Sequence, residues 1–190
     1  MFPVESFRQT IGKCVAILER RSIRFHLTGG ITTVAYGEPR MTQDIDIVID
    51  NQAVSSQLEP FIESLAQSDF MYDASAIRSA VARQGMFQLF DSVEALKLDI
   101  YAREAIPGEL DRSQNVEIFQ GVTLPIACRA DAAASKLLWV SKGSHKSRRD
   151  LKQIYRTSAQ QDRERIIHLA EQLGLREVLD EVLNEPDEIE

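Results

Sequence analysis

Asp44-Ile45-Asp46-Ile47-Val48-Ile49-Asp50 reads as a β-strand with two chemically different faces. Side chains alternate along a strand, so Ile45, Ile47 and Ile49 share an apolar face while Asp44 and Asp46 share the opposite one. The first face suits a core. The second sets two carboxylates side by side, which is costly unless a cation offsets their charge. Oxygen-only ligands favour Mg2+ or Mn2+. The alternative for such a pair is a solvated sheet face.

Upstream, Arg24–Thr28 reads as a short strand that stops at Gly29-Gly30, and residues 31–36 allow one or two helical turns closed by Gly37 and Pro39. Two glycines between a strand and a helix let backbone N–H groups approach phosphate oxygens closely. The order Thr28-Gly29-Gly30, helical turn, Arg40-x-Thr42, Asp44-x-Asp46 therefore sets a triphosphate site beside a metal site. For Arg40 and Thr42 the alternative is a salt bridge and strand-start hydrogen bonds. Downstream, Phe87–Phe90 and Ala95–Tyr101 read as two strands joined near Asp91-Ser92. Leu96, Leu98 and Ile100 face one way, and Lys97, Asp99 and Tyr101 the other. Asp99 would be the third carboxylate of a site for one or two divalent ions.

Helices are expected over 5–20, 52–67, 129–141, 146–158 and 162–184, with Gly143 and Gly174 as breaks. Cys14 and Cys128 lie far apart with no CxxC and no histidine pair nearby, which excludes a zinc or redox motif and fits a reducing cytoplasm. The N-terminal stretch mixes apolar and charged residues at helical spacing, so neither a signal peptide nor a membrane span is expected. There is no GxSxG elbow and no GxxxxGK[ST] loop. His26 reads as a packed or surface residue, and Trp139 and Tyr155 as core.

The net charge of -7 is confined to one end. Glu177, Asp180, Glu181, Glu185, Asp187, Glu188 and Glu190 fall in a stretch without Lys or Arg, which leaves residues 1–176 neutral overall. Lys142, Lys146, Arg148, Arg149, Lys152 and Arg156 crowd another segment, either as a positive patch for phosphates or as a solvated helix face.

These motifs resemble the minimal nucleotidyltransferases of the polymerase-beta-like fold, in particular the AbiEii-like and MenT-like toxins. The resemblance rests on Gly29-Gly30, on RMTQDIDI from Arg40 to Ile47 and on KLDI from Lys97 to Ile100. Looser matches follow at Leu124–Ala127, Ala134–Leu138 and Arg148–Leu151. It implies an α+β fold, a mixed sheet flanked by helices with a C-terminal helical bundle. The core would span residues 1–127 and the helical region 128–190, with the site in a cleft between them. It implies that Asp44, Asp46 and Asp99 hold Mg2+ or Mn2+ and that Gly29 binds phosphate. Lys136 and Asp150 would help to hold the nucleotide. Lys97 and Lys136 are candidates to neutralise phosphate charge, with solvated side chains as the alternative.

The implied reaction moves a nucleoside monophosphate from an NTP to a hydroxyl of RNA, such as tRNA, or of protein, in a toxin paired with an antitoxin and with no membrane partner. Two other classes compete: a non-catalytic nucleotide-binding regulatory module, and a partner-binding protein whose acidic tail supplies the interface.

Overall fold

The central strand of the sheet is β2 (Asp44–Ile49). It runs antiparallel to β1 (Phe25–Thr28) and parallel to β5 (Leu96–Tyr101). Beyond β5 come β4 (Met86–Asp91) and β3 (Phe70–Met71), each antiparallel to its neighbour. Beyond β1 come β7 (Val122–Ile126), parallel to it, and β6 (Gln114–Phe119), antiparallel to β7. Among the described residues this makes a seven-stranded mixed sheet of order β3-β4-β5-β2-β1-β7-β6. The computed structural model describes residues 4–37 and 44–186. The chain divides into two compact units, Met1–Ile31 with Met41–Ala127 and Thr32–Arg40 with Cys128–Glu190.

In the first unit the alternation of β2 does what its sequence dictates. Ile45, Ile47 and Ile49 are fully buried, as are Leu27, Leu98 and Leu89 on the neighbouring strands of the same face. That face carries α1 (Val4–Arg20), α3 (Asn51–Ser55), α4 (Leu58–Ala66) and α5 (Ala74–Ala82). Phe61 of α4 meets Phe87 of β4 edge to face at 6.2 Å between ring centroids. Burial of such side chains, each contributing about 1.5–3 kcal/mol, holds the layers together.

A buried carboxylate sits on this apolar side. Asp91, fully buried at the end of β4, accepts from Thr10 Oγ1 at 2.8 Å and from Lys13 Nζ at 3.1 Å, both on α1. The backbone N–H groups of Val93 and Glu94 also donate to it. Burial pushes this carboxyl up, but the bonds from Thr10, Lys13 and the two amides together outweigh burial and hold it below its ordinary value. A depressed folded value means stability that is present above the ordinary carboxylate value of 3.8 and is lost as pH falls through the folded one. Asp91→Asn is therefore expected to lower stability by about 2 kcal/mol near neutral pH, a gap that narrows in acid. Urea unfolding of both proteins at about pH 6 and about pH 3 checks this.

The helix expected over 52–67 is two helices, α3 and α4. Pro60 is the reason: it lies in the first turn of α4, where no N–H is required, whereas in one continuous helix it would clash with the preceding turn. The strands β6 and β7 and the helix α5 lay outside the expectations drawn from sequence.

The second unit contains α6 (Arg129–Ser141), α7 (His145–Arg156), α8 (Gln160–Gln172) and α9 (Arg176–Asn184). The helix expected over 162–184 is broken at Gly174, whose φ of +66° and the bond from Leu175 N to Ala170 O form a left-handed helix end. Trp139, expected in the core, is instead 47% exposed. The buried stripe of α6 runs through Ala130, Ala133, Ala134, Leu137 and Val140, which turns Trp139 outward. The ammonium of Lys142 lies over its ring at 5.1 Å. Among the described residues, no helix is long and apolar enough to cross a membrane. Cys14 and Cys128 are free and buried, and burial pushes the Cys14 thiol up to about 12 and the Cys128 thiol up to about 11.

Candidate active site

On the face of the sheet opposite the core, register brings the candidate residues together. Asp44 pairs with Lys97, Asp46 with Asp99 and Val48 with Tyr101 across the parallel β2–β5 ladder. Thr28 pairs with Asp46 from the β1 side, and Gln88 with Asp99 from the β4 side. Alternation puts all these side chains on one face, which is polar except for Val48. Three of them are the carboxylates expected from sequence.

Asp46 is held at the end of β1. Gly29 has a φ of +63°, a left-handed conformation in which any side chain is strained. A Cβ on Gly29 would lie 2.5 Å from Cγ and 2.9 Å from Cβ of Asp46, and closer still to Oδ2. The glycine is thus required twice, once by the turn and once by the carboxylate pressed against its α-carbon. Gly30 is buried and opens α2 (Gly30–Tyr36), and Thr28, also buried, ends β1. On the far side of Asp46, Tyr101 donates its hydroxyl to Oδ1 at 3.3 Å. Burial, followed by the Asp46 and Asp99 charges, pushes the Tyr101 phenol up, so it remains a donor at neutral pH.

Asp99 is nearly buried, and both of its oxygens are engaged. Gln88 Nε2 donates to Oδ1 at 2.9 Å and Lys97 Nζ to Oδ2 at 2.9 Å. The same ammonium stands 3.4 Å from Asp44 Oδ1. The hydrogen bond to Asp99 raises the Lys97 ammonium above its ordinary value, burial works against that, and the Asp99 and Asp44 charges add to the rise. Three hard oxygen ligands on adjacent strands, with excess negative charge, have the chemistry that Mg2+ or Mn2+ requires. Among the described residues, however, no three such groups converge as they would around a bound ion.

Lys136 and Asp150 lie in the second unit. They form a buried ion pair, Nζ to Oδ2 at 2.9 Å, to which Thr33 Oγ1 also donates at 3.2 Å. A buried pair of this kind contributes little net stability when intact, but breaking it costs about 3–5 kcal/mol. Arg40 and Thr42 lie outside the described residues. The basic segment is only partly a surface patch: Arg148 pairs with Glu181 and Glu185, and Lys152, mostly buried, donates to the carbonyls of Glu185 and Pro186.

Sequence reasoning missed Gln88 and the role of Tyr101. The signal for Tyr101 was present, since it follows Asp99 by two residues on the same polar face, whereas Gln88 required the β4–β5 register. His26, packed on β1, directs Nδ1 to Ser113 Oγ at 2.8 Å and is fully buried, which agrees with its reading as a packed residue.

The family model for the nucleotidyl transferase AbiEii toxin of type IV toxin–antitoxin systems matches residues 16–186. No curated protein matches the chain in sequence. Among solved structures, the antibiotic-resistance factor ANT(2'')-Ia superposes with a TM-score of 0.61 at 14% identity, covering 95% of this chain and 97% of that one. An antigenic nucleotidyltransferase-like protein from Paracoccidioides brasiliensis superposes with a TM-score of 0.51 at 15% identity, covering 96% and 94%. At such identities the likeness is one of fold.

Proposed function

We propose, for a chain that belongs to the AbiEii nucleotidyl transferase toxin family, that it transfers a nucleoside monophosphate from an NTP to an acceptor hydroxyl in a divalent metal-dependent reaction. The observation that carries this reading is the Asp46 carboxylate against the α-carbon of Gly29, in register with Asp99 and one residue from Asp44 on the same face. A glycine kept bare by a catalytic carboxylate lets the triphosphate approach the backbone beside that carboxylate.

In this reading Asp44, Asp46 and Asp99 hold Mg2+ or Mn2+. The bound ion supplies charge neutralisation at the triphosphate and lowers the pKa of the attacking hydroxyl. Gly29 and Gly30, beside Thr28, present backbone to the phosphates, and Arg40 and Thr42 are assigned to the nucleotide on the family resemblance. Gln88 and Tyr101 fix the orientations of Asp99 and Asp46, which reduces the motion needed to reach the reactive arrangement. The acceptor oxygen bonds to the α-phosphorus as the bond to the bridging oxygen breaks. Pyrophosphate leaves, and the hydroxyl proton passes to Asp99. Lys136 and Asp150 are assigned to the nucleotide on the family resemblance.

For the acceptor, RNA such as tRNA is favoured over protein by the composition of residues 132–161. Their single acidic residue, Asp150, is buried against Lys136, while Lys142 lies over the outward-facing Trp139 and Lys146 is exposed. Cations beside an exposed ring suit a phosphate backbone and a base. Membership of a type IV toxin–antitoxin family makes a cognate antitoxin the expected cellular counterpart, and cytoplasm the expected compartment.

Calorimetric titration with each of the four NTPs tests the core of this proposal. Binding of at least one NTP with Mg2+ and its loss on chelation are expected. Nucleotide affinity that is indifferent to chelation would contradict metal dependence.

A further inference from the structure

The polar sheet face holds three carboxylates, and Lys97 pairs with two of them, Asp44 and Asp99. Its position is specific. β2 and β5 place Lys97 directly beside Asp44, and strand alternation places it on the same face as Asp99, two residues on. Its ammonium bridges the two, 3.4 Å from Asp44 Oδ1 and 2.9 Å from Asp99 Oδ2. The remaining oxygen of Asp99 is taken by Gln88 at 2.9 Å. Asp99 therefore has both oxygens committed, one to a neutral amide and one to a charge.

We infer that Lys97 is the resident counter-ion of this face, its ammonium occupying the place between Asp44 and Asp99 that a divalent ion must take, so that metal enters by displacing it. The inference rests on the metal-dependent reading above and deepens it. It accounts for why three carboxylates on one face do not converge: two of them are turned to a shared ammonium. It also assigns Lys97 a task different from that of a solvated lysine. Its side chain is 37% exposed and that of Asp99 12%, so the pair is partly withdrawn from water and its attraction is screened less than that of a surface pair.

Two consequences follow. Without a divalent ion, Lys97 keeps the like charges from repelling each other, and with one, the displaced ammonium is left beside the triphosphate that the ion binds. Lys97 would thus couple loading of metal to loading of nucleotide, and would discriminate against weakly charged cations that cannot compete with an ammonium.

The experiment is Mn2+ binding, followed by electron paramagnetic resonance of the free ion, on the full chain without nucleotide and at about 0.3 M KCl to screen distant charges. Lys97→Met is expected to bind Mn2+ about tenfold more tightly than wild type, because the ion no longer has to displace the ammonium. Lys97→Gln, which keeps a donor for Asp99 and serves if the Met variant does not fold, is expected to shift in the same direction. Lys97→Arg, which keeps the charge, is expected to bind no more tightly than wild type.

Equal or weaker Mn2+ binding by folded Lys97→Met or Lys97→Gln would overturn the inference and leave the metal-dependent reading intact. Absence of Mn2+ binding in wild type and both neutral variants alike would overturn the two together.

Discussion

Asp46→Asn is expected to lower nucleotidyl transfer by about a thousandfold or more, with the fold preserved. Asn has the shape of Asp, and its amide oxygen can accept from Tyr101 Oη, which donates to Asp46 over 3.3 Å in the wild-type protein, so the sheet loses no packing. What it loses is charge at the position in register with Asp99 and closest to Gly29. An amide oxygen is a far weaker ligand for a hard divalent ion than a carboxylate, and the transition state of phosphoryl transfer depends on that ion for charge stabilisation. Removing one of three carboxylates also relieves like-charge repulsion, so the melting temperature should be unchanged or slightly raised. Loss of activity with unchanged or raised stability separates a catalytic role from a structural one. Single-turnover rates and a thermal melt on the same preparation check both halves.

Gly29→Ala is the second large effect. The alanine methyl has to occupy a position 2.5 Å from Asp46 Cγ, inside any permitted contact, in a left-handed backbone that costs an L-residue about 1–2 kcal/mol. Asp46 is the neighbour able to move, by rotating away from the turn. A displacement of about 1 Å at a catalytic group costs on the order of a hundredfold in rate, so activity should fall at least that far. If Gly29→Ala acts through Asp46, then adding it to Asp46→Asn should cost little more activity than Asp46→Asn alone. Full additivity of the two losses in a double-mutant cycle would mean that Gly29 acts independently of the carboxylate.

How much of this was legible in sequence differs by residue, for physical reasons. The two faces of β2 were legible because strand alternation is local: Ile45, Ile47 and Ile49 are buried and Asp44 and Asp46 are not, as their spacing requires. Gly29 was legible as a turn. That its missing side chain makes room for Asp46 was not, because the contact joins two strands. The pairing of Asp46 with Asp99 was likewise anticipated only as a shared polar face, since parallel register between β2 and β5 depends on everything that folds between them.

Lys97 shows the limit most clearly. The sequence offered phosphate or solvent as its partners, and the structure turns it onto two of the carboxylates. The break that Pro60 marks within residues 52–67 was not read, and Trp139 was misplaced because it stands beside the apolar Leu138. The seven-residue acidic excess was visible as composition, whereas the docking of Glu181 and Glu185 on Arg148 was not.

The central claim is metal-dependent nucleotidyl transfer, and the most direct measurement is transfer of label. Purified protein is incubated with each α-labelled NTP, Mg2+ or Mn2+, and total cellular RNA or total protein, beside an Asp44→Ala, Asp46→Ala control. The account predicts label joined to an acceptor, RNA above protein, by the wild-type chain with metal and by neither the control nor the chelated sample. Metal-dependent nucleotide binding with no label on any acceptor would contradict it, and would identify a nucleotide-binding module that keeps the fold without turnover.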